Sequence, residues 1–203
     1  MSIQEKDSGP RGPISDIDAD GLAEQVARAS RKGPPPVHLW NPPFCGDLDI
    51  RITRDGLWHY LGTPIGREAL VKLFASVLRR DDDDRYYLVT PVEKVGIRVD
   101  DVPFVAVDFA RDPAGDVTFM TNVGDAAPLG PEHPLRIEKD PETGEPTPYV
   151  LVRARLEARI DRKSFYRLVE IGTVEGDQFG LRSRGAFFPL ASVAELDGFA
   201  PGS

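Results

Sequence analysis

The chain has 203 residues, enough for one domain or two of about 100 residues each, and it needs no disulfide to bury a core. Hydrophobic residues make up 40% and charged residues 29%, and 33 acidic against 25 basic residues give a net charge of −8, which argues against a dedicated nucleic-acid binder. One cysteine, Cys45, rules out an internal disulfide and a cysteine-built zinc site; no signal-peptide core and no run near the ~20 apolar residues of a membrane helix occur, so the expected location is the cytoplasm.

Residues 1–15, rich in Gly, Pro and charge, read as a flexible tail. Residues 16–47 read as a helix and a proline-rich linker. Leu22, Val26 and Ala29 give the helix an apolar side, and Pro34-Pro35-Pro36 cannot continue it.

Residues 48–110 are expected to form a first α+β half. Leu48, Ile50 and Ile52 alternate with charges, the period of a half-buried strand. Asp55-Gly56 supplies a hairpin turn, and the return strand puts Trp58 and Tyr60 on one face with His59 on the other. Thr63-Pro64 reads as a helix start. Leu70, Leu73, Phe74, Val77 and Leu78 then mark a helical stripe, which the run Asp81-Asp82-Asp83-Asp84 ends in solvent. Strands follow at 86–90, 92–99 and 104–109, broken by Pro91 and Pro103.

Residues 111–203 are expected to form the second half. A strand at 117–123 precedes the turn-rich segment 124–148, where Leu135-Arg136-Ile137 pairs briefly. Residues 149–159 read as one strand, with Val150, Val152, Ala154, Leu156 and Ala158 inward and Arg153, Arg155, Glu157 and Arg159 outward. Asp161 caps a helix with Phe165, Leu168 and Val169 on its apolar side, stopped at Gly172. Closing strands at 179–182 and 186–190 turn near Gly185.

The pattern predicts an α+β fold of two similar half-domains with largely antiparallel sheets. Ile65, Arg67 and Leu73 recur in register as Ile160, Arg162 and Leu168. Two amphipathic helices in register produce such matches without common descent, so spacing alone leaves duplication open.

Asp55-Gly56-Leu57-Trp58-His59-Tyr60-Leu61-Gly62-Thr63-Pro64-Ile65 resembles the bacterial DUF1285 family. So do Tyr86-Tyr87-Leu88-Val89-Thr90-Pro91-Val92-Glu93-Lys94-Val95, Thr121-Asn122-Val123-Gly124-Asp125 and His133-Pro134-Leu135-Arg136. Pro148-Tyr149-Val150-Leu151-Val152-Arg153 and Phe165-Tyr166-Arg167-Leu168-Val169-Glu170 also fit. The resemblance implies a duplicated α+β fold with a pleckstrin-homology-like carboxy-terminal half, and signalling through a nucleotide-like ligand held between the halves. It brings no catalytic residues with it.

Asp16-Ile17-Asp18-Ala19-Asp20-Gly21 matches the start of a calcium loop, but Ala27 stands where a bidentate Glu belongs, so helix capping accounts for it better. His38, His59 and His133 lack metal-ligand spacing. Neither a nucleophile elbow nor a phosphate-binding glycine loop occurs, and no cofactor or metal is expected. The candidate ligand site combines Trp58, Tyr60, Thr90, Glu93, Lys94, Asn122, Arg153 and Arg155. Aromatic rings stack flat groups, and arginine forks match phosphate or carboxylate oxygens. The bland alternative makes the aromatics core and pairs the arginines with carboxylates such as Glu157.

Three functions follow. The first is a non-enzymatic sensor or adaptor that holds a small anionic, nucleotide-like molecule between its halves and signals to a partner protein. The second is an acid–base enzyme using Glu93, Asp125 or a histidine. The third is a protein-interaction module that works through exposed strand edges.

Overall fold

Residues 19–29 and 35–197 are described by the computed structural model. The expected tail and Asp16 to Asp18 of the calcium-like motif lie outside them. Helix α1 (Ala19–Ala29) buries Leu22 and Val26, one turn apart on a single face. Within the expected linker, Val37–Leu39 make one 3-10 turn, and the first strand already begins at Phe44.

The first sheet comprises β1 (Phe44–Ile52), β2 (Trp58–Tyr60), β3 (Thr63–Pro64), β4 (Leu78–Arg80), β5 (Tyr86–Val89) and β6 (Lys94–Val99), with helix α2 (Glu68–Ser76) between β3 and β4. Its spatial order is β3-β2-β1-β6-β5-β4, and β1 lies parallel to β6 while all other pairs are antiparallel. The Asp55-Gly56 turn forms as expected: Gly56 sits at φ +80° and its N–H donates to the Thr53 carbonyl at 2.9 Å.

Thr63-Pro64 does not start the helix. Leu61 and Gly62, both at positive φ, reverse the chain so that Thr63 pairs with Tyr60, and the helix begins only at Glu68. Val77 and Leu78 are buried as the helical stripe predicts, but as the helix cap and the first residue of β4. The four aspartates are therefore the turn between β4 and β5, not a helix exit.

The second sheet comprises β7 (Phe104–Arg111), β8 (Val117–Thr121), β9 (Ala126–Pro128), β10 (Leu135–Lys139), β11 (Pro146–Arg153) and β12 (Leu156–Ile160). Its order is β10-β11-β12-β7-β8-β9, again with one parallel pair, β7 with β12. The sheets part between Val99 and Phe104, and β7, which the sequence expectation assigns to the first half, hydrogen-bonds in the second. The single strand expected at 149–159 is a hairpin. Ala154, at φ +46°, and Arg155 form its exposed turn, so Ala154 does not point inward.

Helix α3 (Arg162–Glu170) follows, with the Asp161 carboxylate accepting from the Ser164 N–H at 2.7 Å. A three-stranded antiparallel sheet of β13 (Thr173–Glu175), β14 (Gln178–Ser183) and β15 (Ala186–Ser192) leads to the short helix α4 (Val193–Asp197).

Both six-stranded sheets have the same connectivity: two three-stranded meanders, joined where the first strand lies parallel to the sixth. The helices matched by sequence occupy different points of this repeat. Helix α2 links the third and fourth strands of its sheet, whereas α3 follows the sixth strand of the other. One hydrophobic cluster runs from Leu22, Trp58 and Phe74 to Phe104, Phe119 and Leu168, so the halves meet through apolar packing. Among the described residues no helix is long and apolar enough to cross a membrane.

Candidate functional site

The eight residues singled out from the sequence are mostly engaged in holding the fold. Trp58 is buried and stacks on Phe74 with ring centroids 6.4 Å apart, which places it in the core. Tyr60 is half-buried and borders a shallow hollow of about 320 Å³ with Ile65, Arg67 and Leu70. The buried Thr90 hydroxyl donates to Gln25 on α1 at 3.1 Å and accepts from the Glu93 N–H at 3.1 Å, so Thr90 and Glu93 close the turn between β5 and β6. The Asn122 side chain accepts from the Val105 N–H at 3.0 Å and donates to the Gly56 carbonyl at 3.1 Å, joining the halves backbone to backbone.

Both arginines also cross between halves. Arg153 pairs with Asp125, donates to the Ala75 carbonyl at the end of α2 at 2.6 Å, and lies over the Phe104 ring. Arg155 reaches from the β11–β12 turn to the β4–β5 turn, donating to the Asp81 carbonyl and, at 2.6 Å, to Asp84. Lys94 meets the same turn from within the first sheet, 3.1 Å from Asp81. Of the eight, Lys94 and Arg155 are therefore brought together, through the aspartates between them. Both arginines pair with carboxylates, Asp125 and Asp84 in place of Glu157, which binds Arg136 instead. Arg153 does not point outward: a register shift after Leu151 sets it opposite the buried Leu156.

A different constellation lies on the open face of the first sheet. Asp47, Asp49, Arg85, Gly96 and Arg98 line a hollow of about 450 Å³ between β1 and β6. The parallel pairing of these strands is irregular on both sides of Asp47, and Asp47 stands opposite Gly96. A Cβ on Gly96 would lie 2.1 Å from Asp47 Oδ1, so only glycine leaves room for this carboxylate against the strand backbone. Arg85 Nη2 donates to Asp47 at 2.7 Å. The guanidinium also lies over the rings of Phe44 and Tyr87, at 5.9 and 5.5 Å from their centroids.

Fixed charge surrounds this hollow. The Asp47 carboxylate raises the Arg85 guanidinium above its ordinary value, keeping it charged at any working pH. Arg51 grips Asp100 through two nitrogens, at 2.9 and 2.7 Å, and its hydrogen bonds hold that carboxyl below the usual range. The Tyr87 hydroxyl donates to Asp83 at 2.6 Å and likewise lowers it. Burial pushes the Asp81 carboxyl up, but donors from Arg79 and Lys94 outweigh burial and leave it below the usual range. The Tyr87 ring beneath Arg85 is thus tied, through Asp83, to the turn that Arg155 holds from the second sheet.

Asp47, Arg85, Gly96 and Arg98 are absent from the sequence-derived candidates. The signal for them was Gly96, an isolated glycine inside a strand pattern, which marks a close approach to the backbone.

The comparisons agree with the two-part architecture. The family model described as "Domain of unknown function (DUF1285), N-terminal domain" matches residues 35–102, and the model for the DUF1285 C-terminal domain matches residues 103–190. The chain belongs to the DUF1285 family. Its division between Val102 and Pro103 coincides with the gap between the two sheets. A crystal structure of a DUF1285 family protein from Silicibacter pomeroyi DSS-3 is 60% identical, with a TM-score of 0.80, covering 87% of this chain and 98% of that one. A DUF1285 family protein from Shewanella baltica OS155 is 30% identical, with a TM-score of 0.51, over 61% of this chain and 91% of its own. No curated protein matches this DUF1285 chain.

Proposed function

We propose that this DUF1285 protein is a non-enzymatic sensor that binds a small anionic molecule carrying a flat group. The hollow over Gly96 supports this reading best. Its volume of about 450 Å³ suits a metabolite-sized ligand, and a carboxylate on its floor keeps Arg85 in place. An incoming phosphate or carboxylate exchanges for Asp47 on Arg85 and gains Arg98, and the half-exposed Phe44 ring, outside the hollow but in contact with Arg85, offers a stacking surface. The same ligand would disturb the Arg85–Tyr87–Asp83 set, and with it the aspartate turn gripped by Arg155. That path gives a partner protein a relation between halves to read. An acid–base reading has less support: Asp125 is paired with Arg153, and His133 Nδ1 sits 3.0 Å from the Leu151 carbonyl.

The test is a thermal-shift screen of nucleotides and sugar phosphates on the full chain. Gly96→Ala should displace Asp47, occupy the floor and abolish the ligand-induced shift. The apparent melting temperature without ligand should stay within a few degrees. Arg153→Ala with Arg155→Ala should lower the melting temperature and leave the ligand-induced shift in place. A ligand shift that survives Gly96→Ala, or no shift with any phosphorylated metabolite, refutes the proposal.

A further inference from the structure

A third hollow, of about 230 Å³, lies at the carboxy-terminal end between α3, β15 and α4. Its wall is hydrocarbon: Phe165 and Val169 from α3, Phe179 from β14, Leu190 from β15 and Leu196 from α4. The Phe179 ring is seated on the backbone of Gly172, where a Cβ would lie 2.3 Å from its Cζ, so this wall is held in place. Charge appears only at the rim, where Lys139 from the end of β10 meets Glu195. Glu195 uses its second oxygen to accept from the Ser192 N–H at 3.0 Å, half of a capping box that starts α4. The hydrogen bond from Lys139 holds the Glu195 carboxyl down at about 2, so at neutral pH the lysine already faces a carboxylate.

We infer that this hollow takes the chain of a medium-length alkyl carboxylate, with Lys139 receiving the carboxylate in place of Glu195. The volume suits a single short chain: at ~30 Å³ per water-sized unit, about 230 Å³ holds roughly eight such units, the bulk of an octanoate tail. One cation beside an apolar slot is the arrangement that tells a fatty acid from a neutral alcohol. Glu195, released from Lys139, keeps its bond to Ser192, so α4 stays formed while its rim opens. The site is separate from the hollow over Gly96, and the failure of either leaves the other standing.

Isothermal titration of the full chain with octanoate, hexanoate, butanoate and 1-octanol tests this. Octanoate should bind, and hexanoate should bind about fifteenfold more weakly, since each methylene changes affinity about fourfold. Lys139→Met should bring octanoate down to the affinity of 1-octanol. Val169→Trp should abolish binding of both by filling the slot, and Leu196→Trp on α4 serves the same end if the first variant fails to fold. Equal affinity for octanoate and butanoate, tighter binding of 1-octanol than of octanoate by the unaltered chain, no binding at all, or octanoate binding untouched by both tryptophan variants would overturn the assignment.

Discussion

The two six-stranded sheets share one connectivity but solve the middle of it differently. In the first, α2 carries the chain across from edge strand β3 to the opposite edge strand β4, and the sheet keeps one face open. In the second, only residues 129–134 join the same two edges, and a bridge between Gly130 and His133 folds them into a turn. Such a turn cannot cross the roughly 24 Å that six flat strands span at ~4.8 Å spacing. The second sheet therefore curls until β9 packs against β11. The crossover length decides which copy of the repeat curls over and which keeps an open face.

Core truncation gives the largest test of this comparison. Phe74→Ala on α2 and Phe119→Ala inside the curled sheet should each cost about 3–5 kcal/mol. Because one apolar cluster joins the halves, each should shift a single urea transition seen alike by tryptophan fluorescence and far-ultraviolet circular dichroism. Two separated transitions would mean that the halves are energetically independent. Next in size is Asn122→Ala, which strips partners from Val105 and Gly56 at the joint and should cost about 1–3 kcal/mol at an unchanged denaturant slope.

Acid gives the smallest and most local effect. Asp81, Asp83 and Asp100 have folded values below their unfolded ones, so each contributes stability above the unfolded value of ~3.9 that is lost as pH falls through the folded value. The melting temperature should be flat from about pH 7 to pH 5 and fall below about pH 4. In Asp81→Asn the difference from the unaltered chain should shrink in acid. A difference that persists at about pH 3 would assign the effect to packing rather than to charge.

Much of the fold was legible because its strands alternate and its turns carry Asp-Gly or Gly. Part of what the sequence concealed lies where a turn is built without those residues. Ala154 and Arg155 reverse the chain with no glycine, so β11 and β12 read as one strand. The stripe from Leu70 to Leu78 looked continuous because Val77 and Leu78 keep their burial after the helix has ended. The candidate site was less legible. Arg155 sits in the turn, a register shift puts Arg153 on the inner face opposite Leu156, and their acceptors lie up to 78 positions away, beyond any local pattern. Asp47 and Arg85 come together only because β1 and β6 pair across the sheet, and Gly96 alone hinted at that meeting.

The parallel joint between first and sixth strands also bears on how the protein is made. Each meander closes locally as it leaves the ribosome, but the central seam of a unit waits for its last strand to emerge, at Lys94 in one copy and Leu156 in the other. Until then a nascent chain holds two half-sheets with bare inner edges. Such long-range closure is slow and open to wrong pairing. The irregular, glycine-floored pairing at Asp47 would make the first copy's seam a poor template for any strand but its own.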